Sequence, residues 1–261
     1  MGVWDLYDSI LESSGKSLRD VRANRERGYL QRKLPDHLSY HVAIVNGTEQ
    51  ELVIINSDNL EQKTVITMPG ETLDGGSLVQ WADNFWLVTS FDANDELYTK
   101  CIMTQCNYLL RWITPEKEIV ERWCIISDGT KYLTGETISS YNENGMSLGD
   151  TRISMTIARD EHTVQFNRGC RFLIDDYDSN TVLAYRLTKP FKIGGVYNQK
   201  GVMTFVLTEV NTEDDDNFEL HIADYYKYFP EEKPKCEGEH TTPNVSVKPG
   251  DVNESGKRVW L

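Results

Sequence analysis

The sequence lacks long apolar runs and the features of a secretory leader. No stretch of about 18 consecutive apolar residues occurs, so we expect no membrane span. The opening residues, Met1 to Asp5, lack the basic flank and apolar stretch of a signal peptide. We therefore expect the chain to mature in a reducing cytoplasm, where its cysteines stay as thiols. Four cysteines lie in strand-like runs, which favours burial as small hydrophobic residues: Cys101, Cys106, Cys124 and Cys170.

The motifs of common enzyme classes are also absent. The chain has no P-loop, no glycine-rich dinucleotide fingerprint, no nucleophile-elbow serine and no zincin helix. The histidines are scattered. His37 and His41 have helix spacing, but they follow Pro35 and run into a strand-like stretch. We therefore expect no catalytic residue, no metal site and no cofactor. A Cys–His pair formed by tertiary contact stays open, because one sequence cannot show it.

The charge is negative overall but unevenly distributed. The chain carries −14 at neutral pH, which disfavours broad binding to the phosphate backbone of nucleic acids. The segment from Lys16 to Lys33 nevertheless holds seven basic residues against two acidic ones, a net of +5, so the remainder carries −19. Such polarity suits docking on an oppositely charged neighbour, with Arg19, Arg22, Arg25 and Arg27 as the candidate docking residues. The alternative is that these arginines only solvate a helix face.

Two helices are predicted at the start of the chain. Val3 to Ser14 has apolar residues at helical spacing. Ser17 can cap a second helix, which would run to about Lys33 and turn Leu18 and Val21 inward, with Leu30 and Leu34 as further candidates for the same side.

After these helices the pattern changes to short runs of β-branched and aromatic residues. Asn46-Gly47 is a strong hairpin signal between the strand candidates Tyr40 to Val45 and Leu52 to Asn56. Turn residues recur about every 8–12 positions, which is typical of small barrels or sandwiches rather than βαβ units. We predict a mainly β fold: an N-terminal helical segment, one or two small β-barrel or sandwich domains, and a disordered C-terminal tail. The expected segments are a helical arm at 1–35, a β-barrel domain at 36–128, a second β domain at 129–229 and a flexible tail at 230–261.

The polar tail ends in the apolar sequence Arg258-Val259-Trp260-Leu261. Aromatic anchors carry much of the energy at protein interfaces, so Arg258, Trp260 and Leu261 are also candidate docking residues. The alternative is that this ending has arisen by chance.

Several short motifs stand out along the chain between Arg19 and Tyr228. They are RERGYLQRKLP (25–35), GGSLVQW (75–81), FWLV (85–88), YTKC (98–101), QCNYLLRW (105–112), RFLIDD (171–176) and IADYY (222–226). Together they resemble virion structural proteins of tailed phages that infect Gram-positive, gut-type hosts. The order of the middle motifs is similar to that in head-closure, or head–tail joining, proteins.

This resemblance implies a structural subunit of the neck, or connector, rather than an enzyme. Such proteins form a homo-oligomeric ring that seals packaged DNA and receives the tail. The implied partners are further copies of the chain, portal or adaptor proteins and tail proteins, with passive contact to packaged DNA and none to a membrane. The implied location is the virion, after synthesis in the host bacterial cytoplasm. An acidic surface would let DNA slide past by repulsion, and the run from Thr212 to Asp216 is the candidate.

Two alternatives remain at this stage. The first is another station in the particle: tail completion, baseplate or minor capsid protein. The second is a carbohydrate-binding or adhesin β module, suggested by six tryptophans and thirteen tyrosines. Aromatic side chains exposed in a groove would favour the second alternative, whereas aromatic side chains packed in cores would not.

Overall fold

The computed structural model describes residues 17–92, 96–128, 152–176 and 181–233. The fold is mainly β, as predicted: one N-terminal helix precedes a closed six-stranded barrel and a second, seven-stranded sheet. No helix within these described ranges is long and apolar enough to cross a membrane. The helix predicted at residues 3–14 and the tail beyond residue 233 lie outside the described residues.

Helix α1 spans Leu18–Lys33 and begins at the predicted cap. The Ser17 hydroxyl accepts a hydrogen bond from the Asp20 N–H at 3.2 Å, and the Asp20 carboxylate accepts one from the Ser17 N–H at 3.0 Å. This capping box satisfies backbone donors that the first turn leaves without partners. The acidic Asp20 in the first turn and the basic Arg32 and Lys33 in the last turn also complement the helix dipole.

The barrel follows directly after α1. Its strands are β1 (Tyr40–Val45), β2 (Thr48–Asn56), β3 (Gln62–Thr67), β4 (Leu78–Trp81), β5 (Asn84–Asp92) and β6 (Lys100–Gln105). They pair in the order β1-β2-β3-β6-β5-β4, and β4 closes on β1. Asn46 and Gly47 connect β1 to β2 with φ values of 49° and 87°, as this two-residue hairpin turn requires. In a closed ring of six strands, the β1–β2 pair lies across the barrel from the β5–β6 pair.

Alternating residues of the barrel strands fill its interior. Leu52, Val65, Val79 and Met103 are fully buried there, and Trp86 is nearly so. Burial raises the pKa of the Cys101 thiol in this core to about 12, with a smaller contribution from Asp74. Cys101 therefore serves as a small hydrophobic residue, as the sequence predicted.

The second sheet is nearly a barrel. Its strands are β7 (Tyr108–Ile113), β8 (Ile119–Asp128), β9 (Arg152–Ala158), β10 (Arg171–Asp176), β11 (Thr181–Phe191), β12 (Val196–Tyr197) and β13 (Lys200–Val210). They run in the order β10-β11-β13-β9-β8-β7, with β12 paired to β13. The hydroxyl of Tyr108 in β7 bridges to the other edge: it donates to the Leu173 carbonyl at 3.4 Å and accepts from the Asp175 N–H at 3.1 Å. This side chain thus satisfies backbone groups of β10 that would otherwise face an open edge.

Two local expectations differ from the structure. The expected boundary of the barrel domain was residue 128, but β7 pairs with β8 and β8 pairs with β9, so both strands belong to the second sheet and the barrel ends at Gln105. The stretch from Thr163 to Phe166 has the β-branched and aromatic residues of a strand, but it forms a 3-10 turn at Thr163–Gln165. Asp160 causes this change, because its carboxylate accepts the N–H groups of His162 and Thr163.

The last described segment packs against the second sheet. It contains a short helix, α2 (Tyr225–Tyr228), and a single antiparallel bridge between Asn217 and Ile222. Ile222 and Tyr225 are buried against Ile113 of β7. The aromatic stretch from Phe218 to Phe229 has strand spacing at its start and helical spacing at its end, and the structure gives a bridge followed by a helical turn.

A continuous seam joins the barrel to the second sheet. Leu87 of β5 and Val202 of β13 are buried in it, and the ring of Phe85 stacks on that of Trp123 with centroids 4.4 Å apart. The two backbones touch at Gly76 and Gly201, where a Cβ on Gly76 would lie 2.2 Å from the Gly201 carbonyl oxygen. The two β units are therefore packed together as closely as a protein core.

Candidate functional site

Helix α1 contributes no buried side chain to a hydrophobic core. None of its residues is buried. The structure shows Leu18 80% exposed and Val21 36% exposed, so the expectation that they face inward was wrong. The side of the helix that faces the protein instead carries Arg27, which contacts Glu96, together with the half-buried Ala23 and Leu30. A helix that leaves apolar side chains such as Leu18 exposed on its free side is typical of an element that contacts another molecule.

The four arginines predicted for docking fall into two pairs. Arg19 lies 2.5 Å from the Glu96 carboxylate, and Arg27 donates to the Glu96 carbonyl at 3.0 Å, so both fasten the helix to the β5–β6 connection. Arg22 and Arg25 are exposed and form no hydrogen bond or ion pair with any residue that the structure describes. Arg22 and Arg25 are therefore the arginines available to a partner. The other candidates, Arg258, Trp260 and Leu261, lie outside the described residues.

A buried ion cluster lies at the other end of the molecule. The side chain of Arg171 in β10 is only 4% exposed, and its Nη1 and Nη2 atoms donate to both oxygens of Asp216 at 3.0 and 2.8 Å. Nη1 also donates to Asp224 at 2.7 Å, and Nη2 to the Asn211 carbonyl at 3.2 Å. Burial lowers the pKa of Arg171, but Asp216 and Asp224 raise it more, so the net shift is upward. The cluster fastens residues 211–224 onto the second sheet.

This cluster changes the interpretation of the acidic run from Thr212 to Asp216. Asp216 is buried and paired with Arg171, and Asp215 lies 2.8 Å from Lys233. The expectation that this run as a whole presents a repulsive surface to DNA was therefore wrong. The sequence could not show that Asp216 is buried and paired, because Arg171 lies more than forty positions away from its carboxylate partners.

A small cavity adjoins the cluster. It has a volume of about 170 Å³, and its walls include Trp112, His162, Phe166 and Cys170. His162 lies 3.5 Å from Glu161, and the Cys170 sulfur accepts the Asn167 N–H at 3.4 Å. No hydrogen bond joins His162 to Cys170 in the described part of the chain, so the direct contact by which a base activates a thiol is not formed. The cavity is also smaller than the roughly 300–1,000 Å³ of typical ligand sites.

Asp160 holds the turn that carries His162, and this contribution to stability should depend on pH. It accepts hydrogen bonds from the Thr163 N–H and from Arg122 Nε, both at 2.7 Å. Burial acts to raise the pKa of Asp160, but these bonds outweigh it and hold the pKa below its ordinary value. The stabilisation is therefore present at neutral pH and is lost as pH falls through that lowered pKa.

Replacing Asp160 with alanine is expected to lower the free energy of unfolding by about 1–2 kcal/mol at pH 7. Urea denaturation at pH 7 and at pH 3 measures it, and the difference from the wild type should shrink at the lower pH. A difference that stays constant between the two pH values would show that the charge of Asp160 contributes nothing.

Aromatic side chains are used mainly inside the fold. Trp86 and Trp112 are buried, and Trp81 and Trp123 are half-buried in contact with other rings. Trp112 packs edge-on against Phe166, with ring centroids 4.9 Å apart. Of the four tryptophans that the structure describes, Trp123, stacked on Phe85, borders the open groove between the barrel and the second sheet, and the other three do not line it.

Part of the chain is similar to a known family. A family model described as the YomX N-terminal domain matches residues 10–105. The family is phage-derived, and the match indicates a phage-associated protein. Its end at residue 105 coincides with the end of β6, so the similar region contains α1 and the complete barrel. Searches of the curated proteins and of the solved structures returned no match.

Proposed function

We propose that the protein is a structural subunit of a tailed-phage particle, a ring-forming head-closure or connector protein that joins the DNA-filled head to the tail. The observation that carries the proposal is the family match over residues 10–105, which includes both the barrel and the exposed basic helix. The resemblance of motifs along the chain to head-closure proteins supports the finer assignment. In this proposal the protein is not an enzyme and uses no metal or cofactor.

The architecture suits a ring subunit for a mechanical reason. Two β units joined by a packed seam form a rigid body, and identical rigid bodies close into a ring when each contacts the next through two different surfaces. The seam that includes Phe85, Trp123 and Leu87 keeps the two units from moving independently. An exposed helix on such a body can then engage a neighbour without disturbing the core.

The proposed partners are further copies of the chain, portal or adaptor proteins on the head side, and tail proteins on the other. The proposed location is the virion. Outside the basic segment the chain carries −19, so passing DNA would meet repulsion on average rather than binding. The carbohydrate-binding alternative is disfavoured by the packed tryptophans, among which Trp86 and Trp112 are buried.

Mass spectrometry of gradient-purified particles tests this proposal. The protein should remain with the particles after a high-salt wash, in a fixed and low ratio to the major capsid protein. Disruption of the gene should yield heads that do not retain their packaged DNA, together with free tails that do not join to them. Particles that lack the protein, or that assemble and infect normally without its gene, would contradict a connector role.

A further inference from the structure

We propose that helix α1 of one subunit docks on the β1–β2 face of the barrel of the next copy. This inference rests on the proposed ring and names the two surfaces that would form it. Each surface is exposed, each combines apolar and charged side chains, and their charges are opposite.

The donor surface is the free face of α1. At about 100° per residue, five side chains fall within one arc of roughly 100°. They are Leu18, Val21, Arg22, Arg25 and Tyr29. Leu18 and Tyr29 are 80% and 51% exposed, and Arg22 and Arg25 have no partner among the described residues. Arg27, which contacts the Glu96 carbonyl, lies on the opposite side of the helix, and Arg19, which contacts the Glu96 carboxylate, flanks the free face next to Arg22.

The acceptor surface lies on the outside of β1 and β2. Val42 and Ile44 are 56% and 40% exposed, although most outward positions of a solvated antiparallel sheet are polar. Glu51 is the cross-strand partner of Val42, and Glu49 is the partner of Ile44. Glu49 and Glu51 are exposed and form no ion pair with a residue that the structure describes. The apolar pair therefore has a negative border.

Further features mark the same surface. Burial and the carboxylates of Glu51 and Glu71 raise the pKa of Tyr40, the first residue of β1, as expected beside a concentration of negative charge. Ile44 also borders an open groove of about 630 Å³ between the barrel and the second sheet. This groove gives space for a large side chain of an incoming helix, such as Tyr29.

The topology places the two surfaces suitably for a ring. Glu96, which holds α1, belongs to the connection between β5 and β6. The β1–β2 pair lies across the barrel from β5–β6 in the strand order. Within the described part of the chain no hydrogen bond or ion pair joins the two surfaces, so each is available to the complementary surface of a successive copy. Among the occupants that a basic helix face could bind, a second copy is favoured because its acceptor is present on this chain.

Charge-reversal substitutions on each of the two surfaces test the proposal. The helix variant is Arg22→Glu with Arg25→Glu, and the barrel variant is Glu49→Lys with Glu51→Lys, both in the full chain. The control variant, Arg186→Glu with Lys189→Glu, makes the same change in charge as the helix variant, at exposed positions of β11. Sedimentation velocity over a concentration series measures self-association of each variant, of the helix and barrel variants mixed, and of a chain that carries all four reversals.

The helix variant and the barrel variant should each weaken self-association by about tenfold or more, whereas the control should not. The mixture and the fourfold variant should regain association, because each negative surface again meets a positive one. Association of the single-surface variants at wild-type strength, or a mixture that stays dissociated, would overturn the proposal. A wild-type chain that stays monomeric at all concentrations would also overturn the proposed contact. If the protein is nevertheless recovered from purified particles, the connector role would stand, and a different contact would have to form the ring.

Discussion

Replacement of Arg171 with methionine is expected to lower the free energy of unfolding by about 3–5 kcal/mol, the range for breaking a buried ion pair from one side. The methionine fills much of the same space, but it leaves Asp216 buried and negative without its two parallel hydrogen bonds. A loss of this size is a large fraction of the total stability of a typical protein. Equilibrium denaturation with urea measures it.

The Arg171→Lys variant separates charge from geometry. Lysine keeps the positive charge but cannot form the paired hydrogen bonds of a guanidinium, so an intermediate loss is expected. The control is Lys189→Met, because Lys189 is exposed on the neighbouring strand β11 and is not the cross-strand partner of Arg171. If Arg171→Met and Lys189→Met lose equal stability, the cluster does not hold the 211–224 segment to the sheet.

Reversal of Arg22 and Arg25 in the phage genome is expected to reduce the yield of infectious particles by at least about a hundredfold, since charge pairs at interfaces are sensitive to reversal. The unfolding free energy should change by no more than about 0.5 kcal/mol, because α1 buries no residue. Plaque titre and urea denaturation of the purified protein measure the two effects. Loss of assembly without loss of stability is the signature of a contact surface.

The control for this prediction is again Arg186→Glu with Lys189→Glu, which should leave the titre near that of the wild type. A normal titre for the Arg22 and Arg25 reversal would mean that these arginines only solvate the helix. That outcome would support the alternative interpretation, in which the positive charge of the segment has no role in docking.

Much of the fold was predictable from local sequence signals. The Ser17 cap, the Asn46-Gly47 hairpin and the strand Tyr40–Val45 depend on neighbouring residues, and the structure confirms all three. The barrel boundary was not predictable in this way. Strand β7 belongs to the second sheet because of its pairing with β8 and its contact with β10, which the local pattern of β7 does not encode.

The candidate site was only partly predictable. Composition identified the basic segment, but the division between the pair Arg19 and Arg27 and the pair Arg22 and Arg25 depends on the position of Glu96. The acceptor surface was missed, although a signal was present. Residues 42–45 of β1 are apolar on both faces of the strand, whereas a strand with one solvated face should alternate. An apolar outward face in such a strand indicates that another surface covers it.

Cryo-electron microscopy of intact purified particles tests the central claim most directly. The account predicts a ring at the junction between head and tail, with each subunit fitting the barrel and second sheet as one rigid body and α1 against the β1–β2 face of the adjacent copy. A junction whose density accommodates neither sheet, with the protein absent from the rest of the particle as well, would contradict the account.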